Sequence, residues 1–255
     1  MSENKVCFVI ALKYYRNYET YIKYYVDNIQ SFYRNSLVII VDNNSTYIQD
    51  IHSVFHGYSN TIIITNETEC KFEIGAYKVG IQYLLTNGLV DSYEYVVFTQ
   101  DNFIIKNKYD FNQLKERDTL ACSLITWQNS KIDNYYFFTP LSQNVLSLLG
   151  LNNDINNLSL CWCNSFILHH SKVVPFMDIV KNIIITTRED SSSAERFLSG
   201  ILYRLNNNKI EDIDGDMNDI TKFYDYWKVD LVNDCIPNVY FVKRLQQKNE
   251  KTVDK

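Results

Sequence analysis

Two short segments carry the side chains best suited to chemistry. The first is Val38-Ile39-Ile40-Val41-Asp42-Asn43-Asn44-Ser45. An apolar run there delivers an acid, two amides and a hydroxyl into a loop, a set able to grip a uracil edge or a ribose hydroxyl. The second is Val96-Val97-Phe98-Thr99-Gln100-Asp101-Asn102. Hard divalent cations take carboxylate and amide oxygens, and Mg²⁺ commonly uses one or two carboxylates plus substrate phosphates. Asp101 supplies a carboxylate there, with Asn102 or Gln100 as a weaker oxygen donor. A plain turn accounts for either segment equally well, because Asp and Asn often end strands.

Several other groups qualify. Glu73 and Lys78 flank Gly75-Ala76. Small residues let a helix start approach a ligand, and its free N–H groups favour a phosphate. Close packing of the helix on a sheet explains the same glycine. Arg188-Glu189-Asp190 precedes a helical pattern beginning at Ser192. Asp190 is the first candidate for a general base and Glu189 the second. Asp190 as a first-turn acid answering the helix dipole is the plainer alternative. Glu195 competes as base, but Ser192-Ser193-Ala194-Glu195 matches a capping box, which would occupy it with the N–H of Ser192. His169-His170 reads as a surface pair at a strand end, and Trp162 as an acceptor-stacking ring or a core residue. The acidic stretch 211–219 reads as a solvated loop.

Other chemistries are excluded by what is missing. The chain has no GxGxxG or GxxxxGK[ST] loop. It has no HExxH and no GxSxG elbow. Its six Cys form no CxxC pair, and several lie in apolar runs as small hydrophobes. A net charge of -5 argues against a phosphate-backbone binder and hence against a nucleic-acid partner.

The elements that must position these groups follow from periodicity. Apolar runs at Val6–Leu12, 37–41, Thr61–Thr65, 95–98 and 120–127 read as strands. Helical spacing runs over 18–32, with Tyr21, Tyr25, Ile29 and Phe32 on one face, and over 72–85. Strand and helix alternating in this way imply an α/β fold, a mixed, mainly parallel sheet flanked by helices. Ligands then bind beyond the carboxyl ends of the strands, where Asp42 and Asp101 both fall. The second half is less regular: helix-like at 145–151, extended at 158–169, helical at 192–205, with a late strand at 239–242. At 255 residues and 46% hydrophobic, the chain suits one large domain. No stretch reaches the roughly 18 apolar residues of a membrane span, and no secretory signal is evident. The reading is a reduced, cytoplasmic protein.

The order of these segments resembles the nucleotide-binding half of GT-A-type (Rossmann-like) glycosyltransferases, especially those similar to family 2. Val41-Asp42-Asn43-Asn44-Ser45 is similar to the Asp ending that family's second strand. Gln100-Asp101-Asn102 stands where the family has its Asp-x-Asp metal motif. Phe72-Glu73-Ile74-Gly75-Ala76-Tyr77, one helix before Thr99-Gln100-Asp101, resembles a pattern in glycosyltransferases of large viruses and bacteria. The likeness covers about residues 5–128, and the AT-rich codon bias suggested by the Tyr and Asn content fits a large DNA virus.

The resemblance implies transfer of a sugar from a nucleotide-diphosphate sugar, UDP- or GDP-type, to a hydroxyl of a glycan, protein or lipid. It implies a single domain over 1–245, with a nucleotide-sugar half at about 5–128 and an acceptor half at about 129–245; the polar residues 246–255 read by composition as a flexible tail. Donor-binding positions would be Asp42, Asn43, Asn44, Glu73, Gly75, Lys78, Gln100 and Asp101. Asp101 and Asn102 would hold Mn²⁺ or Mg²⁺, and Asp190, Glu189 or Glu195 would act on the acceptor. Location would be host cytoplasm or virion if the chain is viral. The second carboxylate and a late His ligand are missing, so weak metal binding, a single carboxylate and no metal all stay open; Lys243 or Arg244 could neutralise the diphosphate instead. Two rivals remain. One is a GT-A-like binding or scaffold module without catalysis. The other is a nucleotidyltransferase, for which Ala11-Leu12-Lys13-Tyr14-Tyr15-Arg16 has the basic residues without the glycines.

Overall fold

The structure is a computed structural model that describes residues 5–13, 19–127, 139–151, 159–209, 211 and 241–243. The expected acidic loop at 212–219, Arg16, Arg244 and the tail at 246–255 lie outside the described residues.

The centre is β1 (Val6–Leu12), buried along its whole length. A run with no polar residue is what a strand covered on both faces requires. Cys7, Val9 and Ala11 enter one core; Phe8, Ile10 and Leu12 enter the other. Beside it lie β2 (Leu37–Asp42), β3 (Thr61–Thr65) and β4 (Tyr95–Gln100). Further on come β6 (Ala121–Ser123) and β9 (Phe166–His169). The six-stranded order is β3-β2-β1-β4-β9-β6. The first four strands are parallel, and β9 runs antiparallel to both β4 and β6. This is the mixed, mostly parallel sheet with flanking helices that the alternating periodicity implied.

Helices cover both faces. α1 (Glu19–Phe32) buries Ile22, Tyr25, Val26 and Ile29 on one face, and Tyr25 Oη donates to Thr99 Oγ1 at 2.9 Å. α3 (Phe72–Thr86) packs on the other. A Cβ at Gly80 would lie 2.4 Å from Val9 Cγ1, so glycine there sets how closely α3 meets β1.

The less regular half departs from the sequence reading in instructive ways. The strand expected over 120–127 is two strands, because the chain changes partner. β6 pairs with β9, whereas β7 (Thr126–Trp127) pairs with β8 (Leu160–Cys161) in a separate ribbon. The extended run expected over 158–169 is broken by a 3-10 turn at Trp162–Asn164, with Cys163 and Asn164 left-handed at φ 60° and 52°. α5 (Pro140–Leu148) starts earlier than expected, with Thr139 as cap and Pro140 in the first turn, where its missing N–H costs nothing. α7 (Arg188–Leu205) starts at Arg188 rather than Ser192. β5 (Phe103–Ile105) pairs antiparallel with β10 (Phe241–Lys243), close to the late strand expected at 239–242. α2 (Ile48–Val54), α4 (Asn112–Glu116) and α6 (Val173–Val180) were not foreseen. The first two are about two turns or less, and α6 carries Pro175 in its first turn. The five described cysteines are all buried, and burial pushes the Cys7 and Cys161 thiols up. No helix among the described residues is long and apolar enough to cross a membrane.

Candidate functional site

Because β1, β2 and β4 are parallel neighbours, their carboxyl ends open on one side of the sheet. The backbone ties the three loops together. Asn43 N–H donates to Leu12 O at 2.8 Å, and Asp101 N–H to Ala11 O at 3.0 Å. Lys13, the first residue after β1, reaches both neighbours. Its N–H donates to Asp101 Oδ2 at 3.0 Å, and its Nζ donates to Asn43 O at 3.1 Å and Asn44 O at 2.9 Å.

The loop after β2 is built inward. Asp42 is 0% exposed, and its carboxylate accepts from Ser45 N–H at 2.8 Å and from Ser45 Oγ. This is the strand-end turn weighed from the sequence, with the acid satisfied inside its own loop. Asn43 Nδ2 donates to Phe72 O at 3.2 Å, and its Oδ1 accepts from Asn66 Nδ2 at 2.9 Å. Asn44, left-handed at φ 59°, is the exposed member.

Glu73 lies in the first turn of α3, and three elements donate to it. Gln100 Nε2 donates to Oε1 at 2.7 Å, and also to Cys163 O at 2.9 Å. Ser191 Oγ donates to Oε2 at 2.8 Å. Asn164 Nδ2 approaches Oε2 at 3.4 Å and donates to Ser191 O at 3.1 Å. Both neighbours of the Asn164 amide nitrogen are acceptors, which fixes the orientation of the amide. Its Oδ1 is buried with no hydrogen-bond partner.

The three acids expected to act on an acceptor separate. Thr187 caps α7: Asp190 N–H donates to its Oγ1 at 3.1 Å, and that hydroxyl donates to Asp190 Oδ2 at 2.8 Å. Asp190 is half-buried and Glu189 exposed. The capping box expected at Ser192 and Glu195 does not form, because the helix has already begun at Arg188. Glu195 Oε1 instead accepts from Cys163 N–H at 2.9 Å, holding the left-handed turn.

The remaining expected positions make other contacts. A Cβ on Gly75 would stand 2.0 Å from Cys70 O, so this glycine admits a backbone contact. Lys78 Nζ donates to the carbonyls of Lys181 and Ile183, both at 2.9 Å, turning it toward the segment after α6. Trp162 is buried in the core on the α1 side. His169 and His170 lie at the opposite end of the sheet, beside the start of β4. Lys13, Asn66, Asn164 and Ser191 join the site without having been chosen from the sequence. Lys13 and Asn66 had a legible signal, since each follows directly on a parallel strand as Asn43 does. Asn164 and Ser191 had none.

Among the described residues no group of three or more His, Cys, Asp or Glu is arranged to hold a metal. The donors present are Asp101 and Asn102 Oδ1, a buried amide oxygen with no hydrogen-bond partner. A carboxylate and an amide oxygen are, by donor chemistry, suited to a divalent ion that draws its remaining ligands from phosphate and water. They do not form a dedicated cage.

No protein-family model matches the chain, and no curated protein matches it. Solved structures do. S. aureus TarS is 17% identical with a TM-score of 0.47, over 83% of this chain and 58% of that one. M. tuberculosis glucosyl-3-phosphoglycerate synthase is 13% identical with a TM-score of 0.44, over 82% and 69%. The Pyrobaculum calidifontis mannosyltransferase PcManGT, in complex with GDP-Man and Mn²⁺, is 14% identical with a TM-score of 0.45, over 69% and 47%. The chain thus spans little more than half of the TarS fragment's length.

Proposed function

We propose that this chain is a glycosyltransferase that moves a sugar from a nucleotide-diphosphate sugar to a hydroxyl acceptor. The observation that carries the reading is the junction of three parallel strand ends stitched by Lys13, with Asp101 at its rim. The first turn of α7, bearing Asp190, is bonded to the same junction through Ser191 and Glu73.

In this reading the base and ribose lie against the Asn43-Asn44 loop that Asp42 shapes. Asp101 and Asn102 would hold a divalent ion, which when bound neutralises the leaving diphosphate. Lys13 adds a fixed cation beside it. In an inverting displacement the acceptor oxygen bonds to the anomeric carbon as the bond to the diphosphate breaks. The acceptor proton passes to the Asp190 carboxylate, which needs to lie within about 3 Å of it.

The test is a thermal-shift panel of nucleoside diphosphates and nucleotide sugars, each with Mn²⁺, Mg²⁺ or chelator, followed by turnover assays. A ligand at 100 times its Kd adds about 2.7 kcal/mol to the folded state, a visible rise in Tm. A base-selective shift with turnover supports the reading and identifies the donor nucleotide. Binding without turnover favours a binding module instead, a reading supported by the lone carboxylate in Gln100-Asp101-Asn102. No shift with any nucleotide removes both.

A further inference from the structure

Glu73 receives hydrogen bonds from the end of β4, from the turn before β9 and from the start of α7. Its partners are 27, 91 and 118 residues away in sequence, so nothing local explains the convergence. Among the described residues, the groups bonded to its two oxygens are all donors. A carboxylate accepts on both oxygens, whereas an amide would turn an NH₂ toward one of them. Hydrogen bonds to an ionised acceptor are also roughly twice as strong as neutral ones. Two of the partners sit next to the acids of the proposed reaction: Gln100 precedes Asp101, and Ser191 follows Asp190.

We propose that Glu73 is a positioning residue that fixes the Gln100-Asp101 turn and the first turn of α7 in one geometry. It touches neither donor nor acceptor. It holds the diphosphate-side acid and the proton-accepting acid at a set separation, so the transferred sugar fits between them. The inference rests on the glycosyltransferase reading for its consequence, but its structural content stands apart from any activity.

The experiment therefore has two readouts, on Glu73→Gln and on the milder Ser191→Ala, which removes only the direct side-chain bond from α7 to Glu73 and keeps the Asn164 bond to Ser191 O. Amide hydrogen exchange is followed at residues 100–102 and 188–192. In Glu73→Gln both segments exchange at least tenfold faster together while β1 and β2 do not change; in Ser191→Ala only 188–192 does. Kinetics at a temperature where each variant is folded then show kcat at least tenfold lower in Glu73→Gln, with nucleoside diphosphate affinity within twofold of native.

Unchanged exchange in either segment overturns the positioning role, whether or not the protein is an enzyme. A lowered Tm with native kcat reduces Glu73 to a structural contact and overturns it as well. Loss of nucleoside diphosphate affinity in step with kcat makes Glu73 a donor-binding residue and again overturns it. If Glu73→Gln does not fold, Ser191→Ala decides, since native kcat and native exchange there sink the proposal. Coupled exchange in a native chain that turns over no donor sinks the glycosyltransferase reading alone.

Discussion

The two ends of the parallel sheet are both polar, yet they are organised on opposite principles. At the amino end, a cavity of about 600 Å³ is lined by Lys5, Glu94, Lys115, Asp118, His169 and His170 among others. Its polar groups pair with one another near solvent: Lys115 with Glu94 at 3.2 Å, and His170 Nδ1 with Asp91 Oδ1 at 3.0 Å. Such pairs are screened and contribute about 0–1 kcal/mol each. At the carboxyl end Asp42, Gln100, Asp101, Asn164 and Ser191 are buried, and Glu73 is held by neutral donors. Two amide oxygens there, on Asn102 and Asn164, have no hydrogen-bond partner. Ser36 and Thr119 at the amino end are also buried without a partner, so such atoms do not by themselves tell the two ends apart. A wide opening therefore says less about function than the direction in which parallel strands deliver their last residues.

The sharpest break of this contrast is Asp101→Ala. Turnover should fall by about 10²–10³ or more, in line with loss of a group that stabilises transition-state charge, while the circular dichroism spectrum stays native. Full activity would remove the carboxyl end from consideration. Next is Gly75→Ala, where the new methyl meets a backbone carbonyl that cannot rotate away. A loss of about 3 kcal/mol is expected from the urea midpoint, and an unchanged midpoint would show that the 66–75 loop is free to move.

Lys13→Met should lower nucleoside diphosphate affinity several-fold by calorimetry and shift stability by no more than about 0.5 kcal/mol, as for most exposed sites. Lys115→Ala, at the other end, should leave turnover native and cost under about 1 kcal/mol; a large loss of activity would reverse the assignment of the two ends. The smallest effect concerns His169, whose pKa is lowered by burial and then by the neighbouring His170. The unfolded chain binds this proton first as pH falls through about 6.5. Stability is thus full above that value and declines below it, and His169→Gln should flatten that part of the Tm-against-pH curve.

The central strands were legible because they are continuous apolar runs: Val6–Leu12 and 37–41 admit no other place than a sheet covered on both faces. Their carboxyl-end acids followed from the same reading. The second half was harder. Apolar residues at 120–127 and 158–169 report burial, but not that the chain changes partner at Leu124, nor that Cys163 and Asn164 turn left-handed. The start of α7 was misplaced because Ser192-Ser193-Ala194-Glu195 and Thr187-Arg188-Glu189-Asp190 both have capping spacing. Packing against Glu73 and Asn164 accompanies the earlier one.

By itself the sequence determined the alternation of strands and helices, and with it the end of the sheet where Asp42 and Asp101 stand. Periodicity is local and carries that much. The tertiary structure alone decided that Lys78 turns away, that Glu195 serves a turn, and that Glu73 joins three elements. The contacts of Lys78, Glu195 and Glu73 cross 27 to 118 residues of chain. No spacing along a sequence encodes a hydrogen bond that only the folded backbone brings within 3 Å.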